Sequence, residues 1–263
     1  MTEKQRFGGI ARLYGDDNLT KLKQAHFCVI GVGGVGSWCA EALARSGVGN
    51  ITLIDLDDVC TTNINRQIHA LTQTVGESKV DVMQERIAAI SPTCKVTCIE
   101  DFVTQDTVDD YLSDNFDFII DAIDSIKAKA SIIAWCKRNK VNMITVGGAG
   151  GQIDPRKITS GDLAKTTQDP LSAKLRSELR RYYHFSKNPK RRFGIECVYS
   201  TEQLRYPQPD GTVGFNKSKM NGSTRLDCAS GFGASTMVTA SFGMVAASRA
   251  VTRFLDRSHS PAI

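Results

Sequence analysis

Short apolar runs alternate with longer amphipathic stretches through the first part of this chain. Residues 26–31, 51–55, 95–101, 117–121 and 142–146 are apolar runs of strand length bounded by turn residues, and they predict buried strands. Between them, 35–46, 77–90 and 127–139 carry helical character, and Ser91-Pro92 closes the second because proline cannot continue a helix. Such alternation predicts an α/β fold, a Rossmann-like, mostly parallel sheet with helices on both faces. The pattern changes at Gly147. GGAGGQIDPRK is a glycine-rich switch, and residues 155–225 are polar, dotted with proline and without a clean period. This stretch predicts a long crossover with short strands and a partly mobile basic loop, before apolar character returns as a closing helix over 229–255.

That closing helix has two readings. Residues 229–248 hold no charge and are nearly long enough to span a bilayer. They also hold no Leu or Ile and are rich in Gly, Ala, Ser and Thr, so insertion would gain little. The expected structure is a buried helix packed closely on the sheet or on a partner subunit, with no membrane association.

The richest chemistry lies between residues 26 and 67. A strand runs into the turn Gly31-Val32-Gly33-Gly34-Val35-Gly36, then a helix, then the strand ITLID ending at Asp55. Glycines let the backbone approach a phosphate, and the helix that follows aims its free N–H groups at the anion. Asp55 lies 19 residues past Gly36, where a carboxylate can accept hydrogen bonds from ribose hydroxyls. Up to this point a nicotinamide dinucleotide fits as well as ATP. The sequel favours ATP with Mg2+: Asp57, Asn63, Asn65, Arg66, Gln67 and Lys79 follow, and Arg and Lys hold the charge that develops on departing pyrophosphate. Gly31, Gly33, Gly34, Gly36, Asp55, Asp57, Asn63 and Gln67 are thus the expected cofactor-binding set, with Arg66 and Lys79 catalytic. Asp121 and Asp124 fall at the carboxyl end of the fourth strand, where open parallel sheets place ligands. Position alone lets Asp124 be a magnesium ligand or a cap of the next helix, a role Ser125 could equally take; beside the glycine turn, Arg66 and Lys79, the metal and catalytic role is the expectation, and Asp121 is expected to be partly structural.

Charge adds a second partner. The chain carries a net +5, yet residues 174–192 hold eight Lys or Arg against Glu178 alone, +7, so the remainder is −2. Interleaved with Tyr182, Tyr183, His184 and Phe185, the cations Lys174, Arg176, Arg180, Arg181, Lys187, Lys190, Arg191 and Arg192 suit phosphates and stacked bases; a merely solvating face is the alternative. Eight cysteines are scattered without a C-x-x-C pair, several inside apolar runs, a pattern of reduced thiols in a cytoplasm. MTEKQRFGG at the N-terminus has no apolar stretch and is not a signal peptide.

RFGGIARLYG at 6–15, TNINRQIHAL at 62–71, DAIDSIKAK at 121–129, GGAGGQIDP at 147–155, LAKTTQDPL at 163–171 and DCASGFGASTMVTASFG at 227–243 resemble the tRNA threonylcarbamoyladenosine dehydratases, a branch of the ubiquitin-activating-enzyme-like adenylating family. The resemblance runs almost end to end. It implies a single adenylating-type domain over 1–263, with 1–150 an ATP-binding core and 151–263 the crossover, short strands and buried C-terminal helix. It further implies ATP-dependent activation of a carboxylate on tRNA, a homodimer, and association with a cysteine desulfurase or sulfur-acceptor system. Relatives that activate sulfur-carrier proteins hold zinc through paired C-x-x-C motifs and often carry a catalytic cysteine in the crossover; here 150–196 contains no cysteine, leaving Cys197 and Cys228 as candidate thiols. In the wider family an N-terminal R-x-x-R pair reaches the partner subunit's ATP. Its second position here is Gly9, with Arg6 and Arg12 nearby. Activation of a small sulfur carrier, a nicotinamide reductase and an ATP-gated tRNA scaffold remain the competing readings.

Overall fold

Every second residue of the central strand faces the same layer, and that alternation organises the molecule. A computed structural model describes residues 2–113, 115–216 and 233–257, the side chain of Arg257 excepted. In chain order its regular elements are α1 (Glu3–Tyr14), α2 (Asp16–Gln24), β1 (His26–Ile30), α3 (Gly36–Arg45), β2 (Asn50–Ile54), α4 (Lys79–Ile90), β3 (Lys95–Ile99), α5 (Val108–Tyr111), β4 (Phe118–Asp121) and α6 (Ile126–Asn139). There follow β5 (Met143–Val146), β6 (Ile158–Asp162), α7 (Pro170–Tyr182), β7 (Glu196–Ser200), β8 (Tyr206–Pro207), β9 (Val213–Gly214) and α8 (Thr236–Arg257).

Seven strands form one sheet in the order β3-β2-β1-β4-β5-β7-β6, parallel throughout except that β6 pairs antiparallel with β7. Phe27 and Val29 of β1 pack into a layer with Leu43 of α3, Met83 of α4 and Phe242 of α8. Cys28 and Ile30 point the other way, to Ile133 of α6 and Leu175 of α7. Both faces are therefore covered, as the near-continuous apolar strands require. The chain leaves β1 toward β2 on one side and reaches β4 on the other, so the sheet order reverses between β1 and β4. A crevice opens there at the carboxyl ends of the strands, the place where open α/β sheets bind ligands.

The five expected strands and three expected helices form within two residues of their sequence-derived limits. Two helices were not foreseen at the N-terminus, where Thr2 and Gln5 close a capping box on α1. A correction concerns the basic segment: its first half is no loop but helix α7. Asp169 accepts hydrogen bonds from the Leu171 and Ser172 N–H groups, Pro170 occupies the first helical position, and Leu175 and Leu179 bury one face. The four-residue spacing of those leucines was readable but drowned by neighbouring charge.

From Thr236 onward helix α8 bears out the buried reading of the small-residue segment; of the expected span 229–255, residues 229–232 lie outside the described residues and 233–235 are not helical. Val238, Phe242, Ala246 and Ala250 are fully buried. A Cβ at Gly243 would sit 2.5 Å from Val35 O and 2.9 Å from Trp38 Cβ, so glycine is what lets α8 lie against the start of α3. No described helix is long and apolar enough to cross a membrane.

Candidate active site

The glycine turn at the end of β1 is held by backbone contact that side chains would block. Gly31 has φ +85°, and a Cβ there would lie 2.8 Å from Ile123 Cγ2. At Gly36 a Cβ would strike Gly31 O, so the first turn of α3 closes directly onto the strand end. Helix α3 starts without a side-chain cap and without an acid in its first turn, which leaves its N-terminal dipole uncompensated for an anion. Gly33 and Gly34 face Gln67 and Arg66: the nearest atom to a built Cβ is Gln67 Nε2 at 3.8 Å and Arg66 Cγ at 3.3 Å.

Asp55 is the anchor of this turn. One carboxylate oxygen accepts from the Val32 N–H at 2.6 Å and the other from the Asp57 N–H at 3.0 Å. It is 9% exposed; burial raises its pKa, and the Lys79 ammonium opposes that rise. Lys79 Nζ donates to Asp57 Oδ2 at 2.7 Å and lies 4.0 Å from Asp55 Oδ1. Lys79 is thus buried and shared between two carboxylates.

Residues 61–69 wrap the other side of the turn. Asn63 is buried and its Oδ1 accepts from the Cys60 N–H at 3.0 Å, closing the short 3-10 turn of Thr61–Asn63. Arg66, half-buried, donates to Thr62 O at 2.7 Å and Asn65 Oδ1 at 3.1 Å, while its own carbonyl accepts from Trp38 Nε1 at 2.9 Å. Gln67 Oε1, His69 Nδ1 and Ser37 Oγ are buried without a protein partner, as in a site that a polar ligand or water completes.

His69 escaped the sequence reading. Its Nε2–H donates to Val32 O at 2.9 Å, so Asp55 and His69 grip the N–H and C=O of one residue from opposite sides. Burial, foremost, holds the imidazole neutral, with its pKa lowered from 6.5 to about 4; the bond to Val32 opposes that shift. Because the folded value is the lower one, the unfolded chain binds this proton more readily. The contribution of neutral His69 is complete above pH 6.5 and is lost as pH falls through about 4. A His69→Gln variant is expected to lose less melting temperature than the parent between those limits; equal slopes in the two proteins would remove His69 from the account.

At the end of β4 the two aspartates divide. Asp121 is fully buried, 3.0 Å from Lys129 Nζ, and accepts from Thr145 Oγ1 at 2.7 Å. Lys129 also donates to Ile123 O at 3.0 Å, so this pair fixes the loop that crosses under Gly31. Asp124, three residues on, is exposed and makes no hydrogen bond or ion pair among the described residues. Neither does it cap α6, whose N-cap is Ser125, itself without a side-chain cap bond. No group of three or more His, Cys, Asp or Glu gathers to hold a metal among the described residues. One free carboxylate beside a phosphate turn nonetheless suits magnesium, which takes one or two protein carboxylates and fills its shell with phosphates and water.

Further contacts tie the site loops together. Asn65 Nδ2 donates to Ala234 O at 3.0 Å, Thr236 Oγ1 to Asn65 O at 2.6 Å, and the Gly151 N–H to Gly233 O at 2.8 Å. The start of α8 thereby joins the 61–69 segment to the glycine switch after β5. At that switch a Cβ on Gly147 would strike Asp169 Oδ2, which packs the N-terminus of α7 onto β5.

The basic segment separates into two groups. Lys174, Arg181, Lys187, Lys190, Arg191 and Arg192 are exposed. Arg176 and Arg180 are half-buried and engaged within the fold: Arg176 donates to Thr166 O at 3.2 Å and to Thr166 Oγ1, and burial lowers its pKa. Arg180 donates to Ser186 O at 3.3 Å and stacks on Phe193 at 5.4 Å. Both hold α7 to its neighbours. Cys197 is likewise no poised thiol: it is fully buried on β7 and its pKa is pushed up to about 12 by burial. Cys228 lies outside the described residues. None of the seven described cysteines takes part in a disulfide. Near the N-terminus Arg6 donates to Ile90 O at 2.7 Å, and Arg12 is exposed.

The glycine turn, Asp55, the Asn63-Arg66-Gln67 segment and Asp124 all lie past the carboxyl ends of β1, β2 and β4. The profile of the ThiF family matches residues 8–261. The chain belongs to the ThiF family. Among its curated relatives, the tRNA threonylcarbamoyladenosine dehydratase of Escherichia coli is 58% identical over 255 residues, covering 97% of this chain and 95% of the relative. The crystal structure of E. coli tRNA N6-threonylcarbamoyladenosine dehydratase in complex with ATP superposes with a TM-score of 0.88 at 52% identity, covering 98% of this chain and 97% of that one. The same enzyme in complex with AMP gives 0.87 at 54% identity, with 97% and 96% covered. The mostly parallel sheet carries its glycine turn at the β1–β4 switch.

Proposed function

We propose that this ThiF-family chain binds ATP with Mg2+ in the β1–β4 crevice and dehydrates threonylcarbamoyladenosine in tRNA. The observation that carries this reading is the 58% identity to the E. coli dehydratase over nearly the whole of both chains. ATP and AMP bound to that relative support ATP as the co-substrate and adenylate chemistry as the route.

The chemistry follows from the substrate. The threonyl carboxylate is a poor electrophile because oxide is a poor leaving group. A carboxylate oxygen attacks the α-phosphorus of ATP, pyrophosphate leaves, and an acyl-adenylate forms. An internal nitrogen of the modified base then attacks the activated carbonyl, the C–O bond to AMP breaks, and a ring closes. The base loses the elements of one water. The turn Gly31–Gly36 seats phosphate with its N–H groups, and Asp55 receives the ribose hydroxyls while bracing Val32. Asn63, Arg66 and Gln67 line the same turn, and Arg66 steadies the charge moving onto pyrophosphate. Lys79 offsets Asp55 and Asp57 where an anion must enter. Asp124 would hold Mg2+, which would supply charge neutralisation on the phosphates. The exposed cations of 174–192 guide the tRNA backbone toward the crevice. Cys197 is buried, and no step here uses a thiol. The enzyme works as a cytoplasmic homodimer in this reading, with Arg6 and Arg12 the candidates for reaching the partner's nucleotide.

Incubation of the full chain with ATP, magnesium and tRNA bearing threonylcarbamoyladenosine, followed by mass spectrometry of the nucleosides, tests this directly. An ATP-dependent loss of one water from that nucleoside is expected. An unchanged nucleoside in a preparation that binds ATP would overturn the reading in favour of carrier-protein activation or a scaffold.

A further inference from the structure

A second concavity stands apart from the nucleotide crevice. A cavity of about 330 Å³ opens where the N-terminus of α7 meets the segment after β7, and Gln168, Pro170, Arg176, Gln203, Tyr206 and Phe215 line it. Its volume is in the range of small-ligand sites. Its lining is unusual for a surface hollow. Phe215, just past β9, is 57% exposed although nothing in the described fold requires an aromatic there. The Arg205 guanidinium sits over its ring at 5.7 Å. Tyr206, half-buried, supplies a second ring from β8. Gln168, with φ +56°, and Gln203 place amides at the same rim.

Aromatic rings and arginine planes stack unpaired bases, and amides hydrogen-bond their edges. We propose that this cavity receives the modified adenine, turned out of the anticodon loop, so that its threonyl arm reaches the crevice. The assignment rests on the reading under Proposed function and names the base-holding part of that site.

Position supports it. Asp169, which also lines the cavity, accepts from the Gly148 N–H at 3.2 Å, directly after β5. The cavity therefore sits at the carboxyl edge of the sheet, on the same edge as the glycine turn. From β1 to β5 is two strand spacings, about 10 Å. The threonylcarbamoyl arm is as long as about two extended residues, roughly 7 Å, so from a base near β5 it spans the single strand spacing of about 5 Å to the end of β4, on whose far side the glycine turn lies. Helix α7 forms one wall and carries exposed Lys174, so the RNA backbone meets positive charge beside the cavity.

The test measures binding of an anticodon stem-loop RNA carrying threonylcarbamoyladenosine to the full chain, and turnover of the corresponding tRNA, for Phe215→Leu, Phe215→Trp and the parent. Leucine keeps an apolar side chain but no stacking plane; tryptophan keeps the plane. Loss of one stacked base weakens binding by about ten-fold or more. Phe215→Leu is expected to raise Kd and KM for the RNA by that factor with ATP binding unchanged, and Phe215→Trp to restore them. Phe215→Leu binding as well as the parent, or Phe215→Trp as poorly as Phe215→Leu, overturns the pocket. Failure of the parent itself to dehydrate the tRNA overturns the functional reading instead, so the two failures are separable.

Discussion

Asp124→Ala is expected to abolish adenylation while leaving the fold intact. The carboxylate is exposed, has no partner among the described residues and caps no helix, so its removal breaks nothing that holds β4 to α6. Its position past the carboxyl end of β4 puts it beside the glycine turn, and in the proposed role its loss would leave pyrophosphate charge uncompensated as it departs. Removal of a single electrostatic stabiliser of this kind typically costs about 10²- to 10³-fold in kcat. The measurement is ATP–pyrophosphate exchange with modified tRNA, alongside thermal melting. An Asp124→Ala protein that exchanges at the parent rate would take Asp124 out of the chemistry. Arg66→Ala is expected to lower exchange too, but less cleanly, because Arg66 also bonds Thr62 O and Asn65.

The opposite pattern is expected three residues earlier. Lys129→Ala strands Asp121, fully buried, with Thr145 as its remaining side-chain donor. Breaking one half of a buried ion pair destabilises by about 3–5 kcal/mol, because the surviving charge is left without compensation. For a chain of this size that lowers the melting temperature by on the order of 10 °C. Replacing both partners, as in Asp121→Leu with Lys129→Met, removes the stranded charge and is expected to recover much of the loss. A double variant no more stable than Lys129→Ala would show that packing, not charge, governs the site. Two aspartates in one short loop thus differ in kind: one is spent on the fold and one is free for chemistry.

The sequence distinguished them only in part. Both stood out as acids at a strand end, and the expectation that Asp121 is partly structural agrees with its burial. What sequence could not show was the role of Lys129, which is unremarkable as one of three lysines in α6. Ala128, Ala130, Ile132 and Ile133 around it are buried, and a cation among them demands an anion. His69 is a similar case, since its bond to Val32 spans 37 residues and leaves no local trace. The basic segment misled differently. All eight cations read alike in sequence, but Arg176 and Arg180 fall on the side of α7 that meets Thr166, Ser186 and Phe193.

By itself the sequence determined what depends on neighbours along the chain. Strand length, helix period, the proline stop, the glycine turn and the acid after the second strand are set by backbone sterics and local burial, and together they specify an α/β sheet with a phosphate-type crevice. The close crossing of α8 on α3 at Gly243 was readable as a buried, small-residue helix, though not its partner. Only the tertiary structure decided which charges are free. Whether Lys79, Arg176 or Asp121 faces an anion, a carbonyl or a buried counter-charge depends on groups brought together from far along the chain, because burial and pairing are properties of the packed molecule.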